Sequence, residues 1–231
     1  MADRPVVVAV FGHGRRTELD RTLSSFEQNV DPDMIAARFI FDDSTDPAYQ
    51  AEIAETFDWW SVIGGTKRLG FGGNIERAWV ALQGVHAPYV FHLEEDFTFN
   101  RPIDLAGMIA VLDTQPDLVQ LALLRQPVGK AEKATGGFIA ADPDSFVDRT
   151  DGEHEWFEHR KFFTTNPSLY RKSLMRDGWP NVEHSEGMFT HRVLHLGTPE
   201  TQNPRFGFWG RTDQTPAVHH IGDDRGDGTG Y

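Results

Sequence analysis

Tyr89-Val90-Phe91-His92-Leu93-Glu94-Glu95-Asp96 is the stretch on which the fold turns. Its first five residues read as a strand buried on both faces, and three carboxylates follow with no turn residue between. Adjacent like charges repel unless a cation or a partner joins them, so a dry strand ending this way points to a cleft at its carboxyl end. Two earlier runs end in similar fashion. Arg38-Phe39-Ile40-Phe41 leads into Asp42-Asp43-Ser44-Thr45-Asp46, and Trp60-Ser61-Val62-Ile63 leads into a Gly-rich loop, Gly64 to Gly73, that carries Lys67 and Arg68. Before both, Val6-Val7-Val8-Ala9-Val10-Phe11 is a continuous apolar run that exits through Gly12-His13-Gly14-Arg15-Arg16.

Helical patterns separate these strands. Thr17 and Asp20 have capping-box spacing at the head of a stripe of Leu19, Leu23 and Phe26. A shorter helix is expected from Pro47 to Phe57, and Ile75, Ala78, Trp79 and Leu82 fall on one helical face. Leu105, Met108, Ile109 and Leu112 mark a further helix ahead of a fifth strand, Leu118 to Leu124. This alternation predicts an α/β fold, a Rossmann-like, mostly parallel sheet flanked by helices, with right-handed crossovers. In such sheets ligands bind beyond the carboxyl ends of the strands. From 125 to about 160 the periodicity fails, and a long loop is expected. Pattern returns with Lys161 to Thr165 as a strand, Pro167 to Met175 as a helix start and Ser185 to Leu196 as a helix. The Gly- and Asp-rich end, 223–231, reads as a flexible tail, and the whole of 1–231 as a single domain.

Composition narrows the function classes. The chain has 22 Lys+Arg against 35 Asp+Glu, a formal charge of −13, which repels phosphate backbones and anionic lipid. A nucleic-acid acceptor or partner is therefore disfavoured, although a local basic cleft remains open to a small phosphorylated ligand. With no Cys, disulfides, thiolate catalysis and Cys-based zinc sites are excluded. No apolar run approaches the ~18 residues of a membrane span. Met1 to Pro5 leads straight into a strand without a signal-peptide layout, so a cytoplasmic setting is expected.

Oxygen ligands of the Glu94/Asp96 type suit Mg²⁺ or Mn²⁺, which commonly also hold substrate phosphates. In Asp42-Asp43-Ser44-Thr45-Asp46 one carboxylate is expected to make an Asx turn or cap the following helix, and another, of Asp42 or Asp43, to accept hydrogen bonds from a nucleoside. The loop from Gly64 to Asn74 has no Gly-Lys-Ser/Thr triplet and does not complete a dinucleotide fingerprint; what remains is a basic backbone loop opening a helix, able to receive phosphate or ribose. His219-His220 follows an apolar approach, and one imidazole could join the acidic cluster. Glu186, at a helix start, is either a general base or a favourable first-turn acid.

In this order the features resemble the GT-A glycosyltransferases, particularly the family 2-like group. Phe41-Asp42-Asp43-Ser44-Thr45 is similar to the family's Asp-Asp-Gly-Ser strand end, and Leu69-Gly70-Phe71-Gly72-Gly73-Asn74 to its Gly-Phe stretch before a helix. Glu94-Glu95-Asp96 lies where the Asp-x-Asp motif belongs, with Glu94 replacing the first Asp. Thr165 to Arg171 resembles the acceptor-side strand, and His184-Ser185-Glu186-Gly187 falls near the base motif, of which a single acid survives.

The resemblance implies a nucleotide-sugar-binding half over 1–125 and an acceptor-side half over 126–222. On the donor side it implies Phe11, Gly12, His13, Asp42 and Asp43, then Lys67, Arg68, Gly72 and Asn74, with Glu95 beside them. Asp96, with Glu94 and one of His219 and His220, would hold Mn²⁺ or Mg²⁺ on the diphosphate. Glu186 would deprotonate the acceptor hydroxyl in an inverting transfer, and a UDP-sugar is favoured as donor; the acceptor is not legible. Two alternatives stand beside this: a degenerate GT-A module that binds sugar nucleotide or a partner without turnover, and a sugar-nucleotide pyrophosphorylase, whose phosphate loop Gly12 to Arg16 fits poorly.

Overall fold

The computed structural model describes residues 4–224, so the expected tail lies, from 225 onward, outside the described residues. The first half runs β1 (Val6–Gly12), α1 (Arg16–Asn29), β2 (Ile35–Asp42), α2 (Pro47–Thr56), β3 (Ser61–Ile63), α3 (Gly70–Leu82), β4 (Tyr89–Glu94), β5 (Phe97–Phe99), α4 (Leu105–Thr114) and β6 (Leu118–Ala122). The second half runs α5 (Gly129–Thr135), α6 (Phe138–Ala141), β7 (Val147–Thr150), β8 (Glu155–His159), β9 (Ser168–Arg171), α7 (Ser185–Leu196), β10 (Arg205–Trp209) and β11 (Val218–His220). Nine strands form one sheet in the order β3-β2-β1-β4-β9-β6-β10-β8-β7, and β11 pairs with β5 in a small second sheet. Only β8 and β9 run against the common direction of the nine. The sheet is thus mostly parallel, and both halves of the chain contribute to it.

Side-chain alternation along β1 builds the two layers. Val6, Val8 and Val10 face α1 and α4 through Leu23, Phe26, Met108 and Leu112, whereas Val7, Ala9 and Phe11 face α3 and α7 through Trp79, Leu82 and Phe189. Because each face of β1 meets a helix, every residue of the strand is buried, which is why the run reads as continuously apolar. In the second layer Trp79, Trp179, Phe163 and Phe189 pack edge-to-face and stacked at centroid distances of 4.6–5.8 Å.

Four local expectations are corrected. The capping box at Thr17 and Asp20 is not formed: α1 begins at Arg16, with Arg15 at the cap position and its side chain turned to the acidic strand end. The span from 125 to 160 is not a loop but holds α5, α6, β7 and β8; all four residues of β7 are exposed, so this edge strand carries no hydrophobic alternation. Lys161 to Thr165 is not a strand, because its backbone is held by side chains: Thr190 Oγ accepts from Phe163 N–H, and Gln120 brackets Thr164 through both its backbone N–H and its carbonyl. The strand comes later, as β9, and the segment Lys172–Asp177 that follows is a 3₁₀ turn rather than an α-helix.

Candidate active site

The carboxyl ends of β1, β2 and β4 meet at one edge, and their polar tips form a connected network. Glu95 N–H donates to the carbonyl of Phe11, and Asp43 N–H to that of Gly12, so the three strand ends are stitched through backbone. Glu95 is fully buried and turns beneath the β1–α1 loop. Its Oε1 accepts from His13 N–H at 2.8 Å and from Arg15 Nε at 2.5 Å, while Thr22 donates to its carbonyl. Gly12 must lack a side chain here, since a Cβ would lie 2.7 Å from Glu95 Oε2. Burial pushes the Glu95 carboxyl up to about 7, with the Arg15 charge opposing.

Asp96 is 4% exposed and is gripped from two sides: Arg15 Nη1 donates to Oδ2 at 2.8 Å, and His220 Nε2 lies 3.3 Å from the same oxygen. Burial alone would raise its pKa, but His220 and Arg15 outweigh burial and hold the carboxyl below its ordinary value. Its other oxygen, Oδ1, is buried without a partner, as is His220 Nδ1. Gly222 admits the Asp96 carboxylate inside the distance a Cβ would need. His219, the neighbour in β11, is exposed; of the two histidines it is His220 that meets Asp96.

Glu94 stands between two clefts. The smaller is lined by Phe11, Asp43, Gly70, Phe71, Asn74 and Glu94. The larger, of about 440 Å³, is lined by Glu94, His220 and Glu186 together with Thr164, Thr165, Asn166, Phe138 and Phe162. Burial, then the neighbouring Asp96 and Glu186 charges, push Glu94 up to about 8. Glu186 accepts from Thr165 N–H at 2.9 Å, and burial raises its pKa against that bond. Two carboxyls with raised proton affinity therefore line one cleft whose walls are largely apolar, an arrangement suited to taking up and giving back a proton.

The remaining sequence candidates divide. Asp43 lies at the smaller cleft, but both its oxygens already accept backbone N–H groups, from Leu69 and Gly70 at 2.8 Å each, so it holds the Gly-rich loop at the start of α3. Asp42 Oδ2 accepts from Ser44 and from Gln50 Nε2, leaving Oδ1 buried without a partner. Asn74 bonds the carbonyl of Phe41 and, through its oxygen, Arg77, fastening α3 to β2. Gly72 gives α3 close approach to Pro180 and Ser185. Lys67 and Arg68 are exposed and line neither cleft. Arg15, on the two inner carboxylates, and Arg125, in the lining of the larger cleft, are residues whose place the sequence did not disclose. Arg15 is separated from Glu95 by 80 residues, and only the topology brings them together.

Among the described residues no group of three or more His, Asp or Glu side chains is disposed as a metal cage. A divalent ion is nevertheless compatible with what is there: a buried, unpartnered carboxylate oxygen on Asp96, a hard donor, beside the imidazole of His220.

This architecture is the GT-A fold. Among solved structures the chain is similar to a mannosyltransferase, PcManGT from Pyrobaculum calidifontis in complex with GDP-Man and Mn²⁺, at a TM-score of 0.64 and 14% identity over 96% of this chain and 58% of that one. It is similar to S. aureus TarS 1-349 in complex with UDP-GlcNAc, at 0.61 and 16% identity over 98% and 61%. GalNAc-T7 with UDP, GalNAc and Mn²⁺ matches at 0.64 and 10% over 94% and 44%. The chain spans between 44% and 61% of the length of these three solved chains. No protein-family model and no curated protein matches the sequence. No helix among the described residues is long and apolar enough to cross a membrane.

Proposed function

We propose that the protein is a metal-dependent glycosyltransferase that moves a sugar from a nucleotide-diphosphate donor to a hydroxyl acceptor. The observation that carries this reading is the position of Glu94 and Asp96 at the carboxyl end of β4, where Glu94 lines both clefts and Asp96 presents an unpartnered oxygen. The similar structures hold GDP-Man, UDP-GlcNAc or UDP, two of the three with Mn²⁺.

In this reading the nucleoside lies on the side of β1, β2 and the start of α3, against Phe11 and Asp43, and the larger cleft receives the acceptor. Asp96 with His220 would hold Mn²⁺ or Mg²⁺, which when bound supplies positive charge to the departing diphosphate. The acceptor oxygen forms its bond to the anomeric carbon as the bond from that carbon to the diphosphate oxygen breaks, the electron pair leaving with the diphosphate. Glu186 takes the hydroxyl proton, and its raised proton affinity suits that task. General-base help of this kind contributes roughly 10²–10⁴-fold. A single displacement of this kind inverts the anomeric centre. UDP is the favoured nucleotide.

A thermal-shift screen of UDP- and GDP-sugars with and without Mn²⁺ tests the reading. Binding of a hundredfold excess over Kd adds about 2.7 kcal/mol of stability, so a true donor raises the melting point measurably and more so with the ion. No shift with any sugar nucleotide counts against the proposal. Binding without transfer or hydrolysis would favour the degenerate module instead.

A further inference from the structure

The nucleoside side of the site is closed by its own loop. Asp43, buried at the end of β2, has both carboxylate oxygens engaged by backbone: Leu69 N–H donates to Oδ1 and Gly70 N–H to Oδ2, each at 2.8 Å. Hydrogen bonds to an ionised carboxylate are among the strong ones. The cleft that Asp43 and Gly70 share with Phe11, Phe71, Asn74 and Glu94 has a volume of about 10 Å³. That is room for about one water molecule, and a nucleobase is several times larger. A nucleoside lying against Phe11 and Asp43 therefore needs both the space and the acceptors that this loop occupies.

The loop is fastened at its two ends. At one, Gln50 Nε2 of α2 donates to the carbonyl of Gly65 at 3.2 Å; at the other stands Asp43. Between them Thr66, Lys67 and Arg68 are exposed, and no hydrogen bond or ion pair holds their side chains among the described residues. Gly70 has a φ of +72°, and a Cβ there would meet nothing within 4 Å. The contact with Asp43 is thus made in a backbone conformation that any residue with a side chain disfavours, for conformational reasons alone.

We propose that the Asp43 carboxylate is a latch on the donor site: the loop over 64–70 leaves it as the nucleoside enters, and the freed oxygens pass to the nucleoside. This rests on the glycosyltransferase reading. Nucleotide affinity is then reduced in proportion to the fraction of molecules whose loop is released, so weakening the latch tightens binding without adding a contact. A loop that merely caps α3 and walls the site would do the reverse, because loosening it would loosen the site.

Titration calorimetry and hydrogen exchange on the full chain separate these. UDP and GDP are titrated, with and without Mn²⁺, into the wild type and Gly70→Ala, with circular dichroism to verify that both are folded. Gly70→Ala touches neither Asp43 nor the space of the cleft and penalises the latched backbone. The expected result is nucleotide binding tighter by roughly tenfold, the scale of the left-handed penalty on a residue with a Cβ. In the wild type, saturating nucleotide should speed exchange at the Leu69 and Gly70 amides, which lose their acceptor. Equal or weaker nucleotide binding in Gly70→Ala, or exchange at those two amides that is unchanged or slowed, overturns the inference alone. A wild type that binds neither nucleotide, with or without Mn²⁺, overturns the glycosyltransferase reading and this inference with it.

Discussion

His159 shows how burial in this protein sets proton affinity. Its ring lies among Phe146, Phe162, Phe206 and Phe208 at centroid distances of 4.6–5.9 Å, and its Nδ1 accepts from Lys161 N–H. Burial, reinforced by the Lys161 charge, lowers its pKa from 6.5 to about 3. Between those values the unfolded chain binds a proton that the folded chain refuses, so the contribution to stability is whole above pH 6.5 and is lost as the pH falls toward 3. His159→Phe should therefore lose less stability than the wild type between about pH 7 and about pH 4, read as urea midpoints. Equal losses in the two proteins would contradict this account. Gly12 is a second single-residue test. Adding a methyl group against the Glu95 carboxylate should cost about 1–3 kcal/mol in Gly12→Ala, as overpacking of a filled site does. A denaturant midpoint equal to that of the wild type would show that the loop gives way freely.

At the scale of elements, the start of α3 depends on a carboxylate from another strand. Leu69, at the cap position of α3, offers no side-chain cap, and Asp43 supplies the acceptors for the N–H groups of Leu69 and Gly70 instead. Asp43→Ala should cost about 1–2 kcal/mol, typical of a lost N-cap, and should speed hydrogen exchange at those two amides. Exchange rates that do not change would argue that α3 is held by Asn74 and packing alone. Here the sequence was partly legible: strand ends, the helix stripes of α1, α3 and α4, and the Asp46 cap of α2 follow from local periodicity and turn chemistry. What periodicity misses is backbone satisfied by distant side chains. Lys161 to Thr165 has the apolar residues of a strand, yet its partners are Gln120 and Thr190, and the paired segment is Ser168–Arg171 between β4 and β6. The exposed β7 and the short α5 carry too little apolar face to announce themselves, and α6, apolar throughout, is four residues long and too short to show a period.

For the molecule as a whole, seven strands pointing one way place the tips of β1, β2 and β4 at one edge, and the reversed strand β9 knits the two halves into one sheet. The acidic triplet was readable as a place where charge must be compensated, because three carboxylates beyond a dry strand need partners, and Arg15 and His220 supply part of that compensation. The division of labour within it was not. Glu95 turns down to the β1–α1 loop, Glu94 faces the clefts and Asp96 meets Arg15 and His220, an arrangement set by contacts spanning 80 residues or more that no local pattern encodes. The same long-range assembly puts Glu186 from α7 opposite Glu94 across the larger cleft. Glu186→Gln keeps the bond from Thr165 N–H while removing the proton acceptor, so turnover should fall by roughly 10²-fold or more with donor affinity unchanged. A steady-state assay showing full turnover would move the base elsewhere.

The most direct test of the central claim is release of nucleoside diphosphate from a panel of sugar nucleotides with Mn²⁺, compared between the wild type and Asp96→Asn. The account predicts release by the wild type from at least one donor and a loss of roughly 100-fold or more in the variant, the scale of removing a main stabiliser of leaving-group charge, with the fold retained by circular dichroism. Equal rates in the two proteins, or a wild type inert toward every donor, would contradict it.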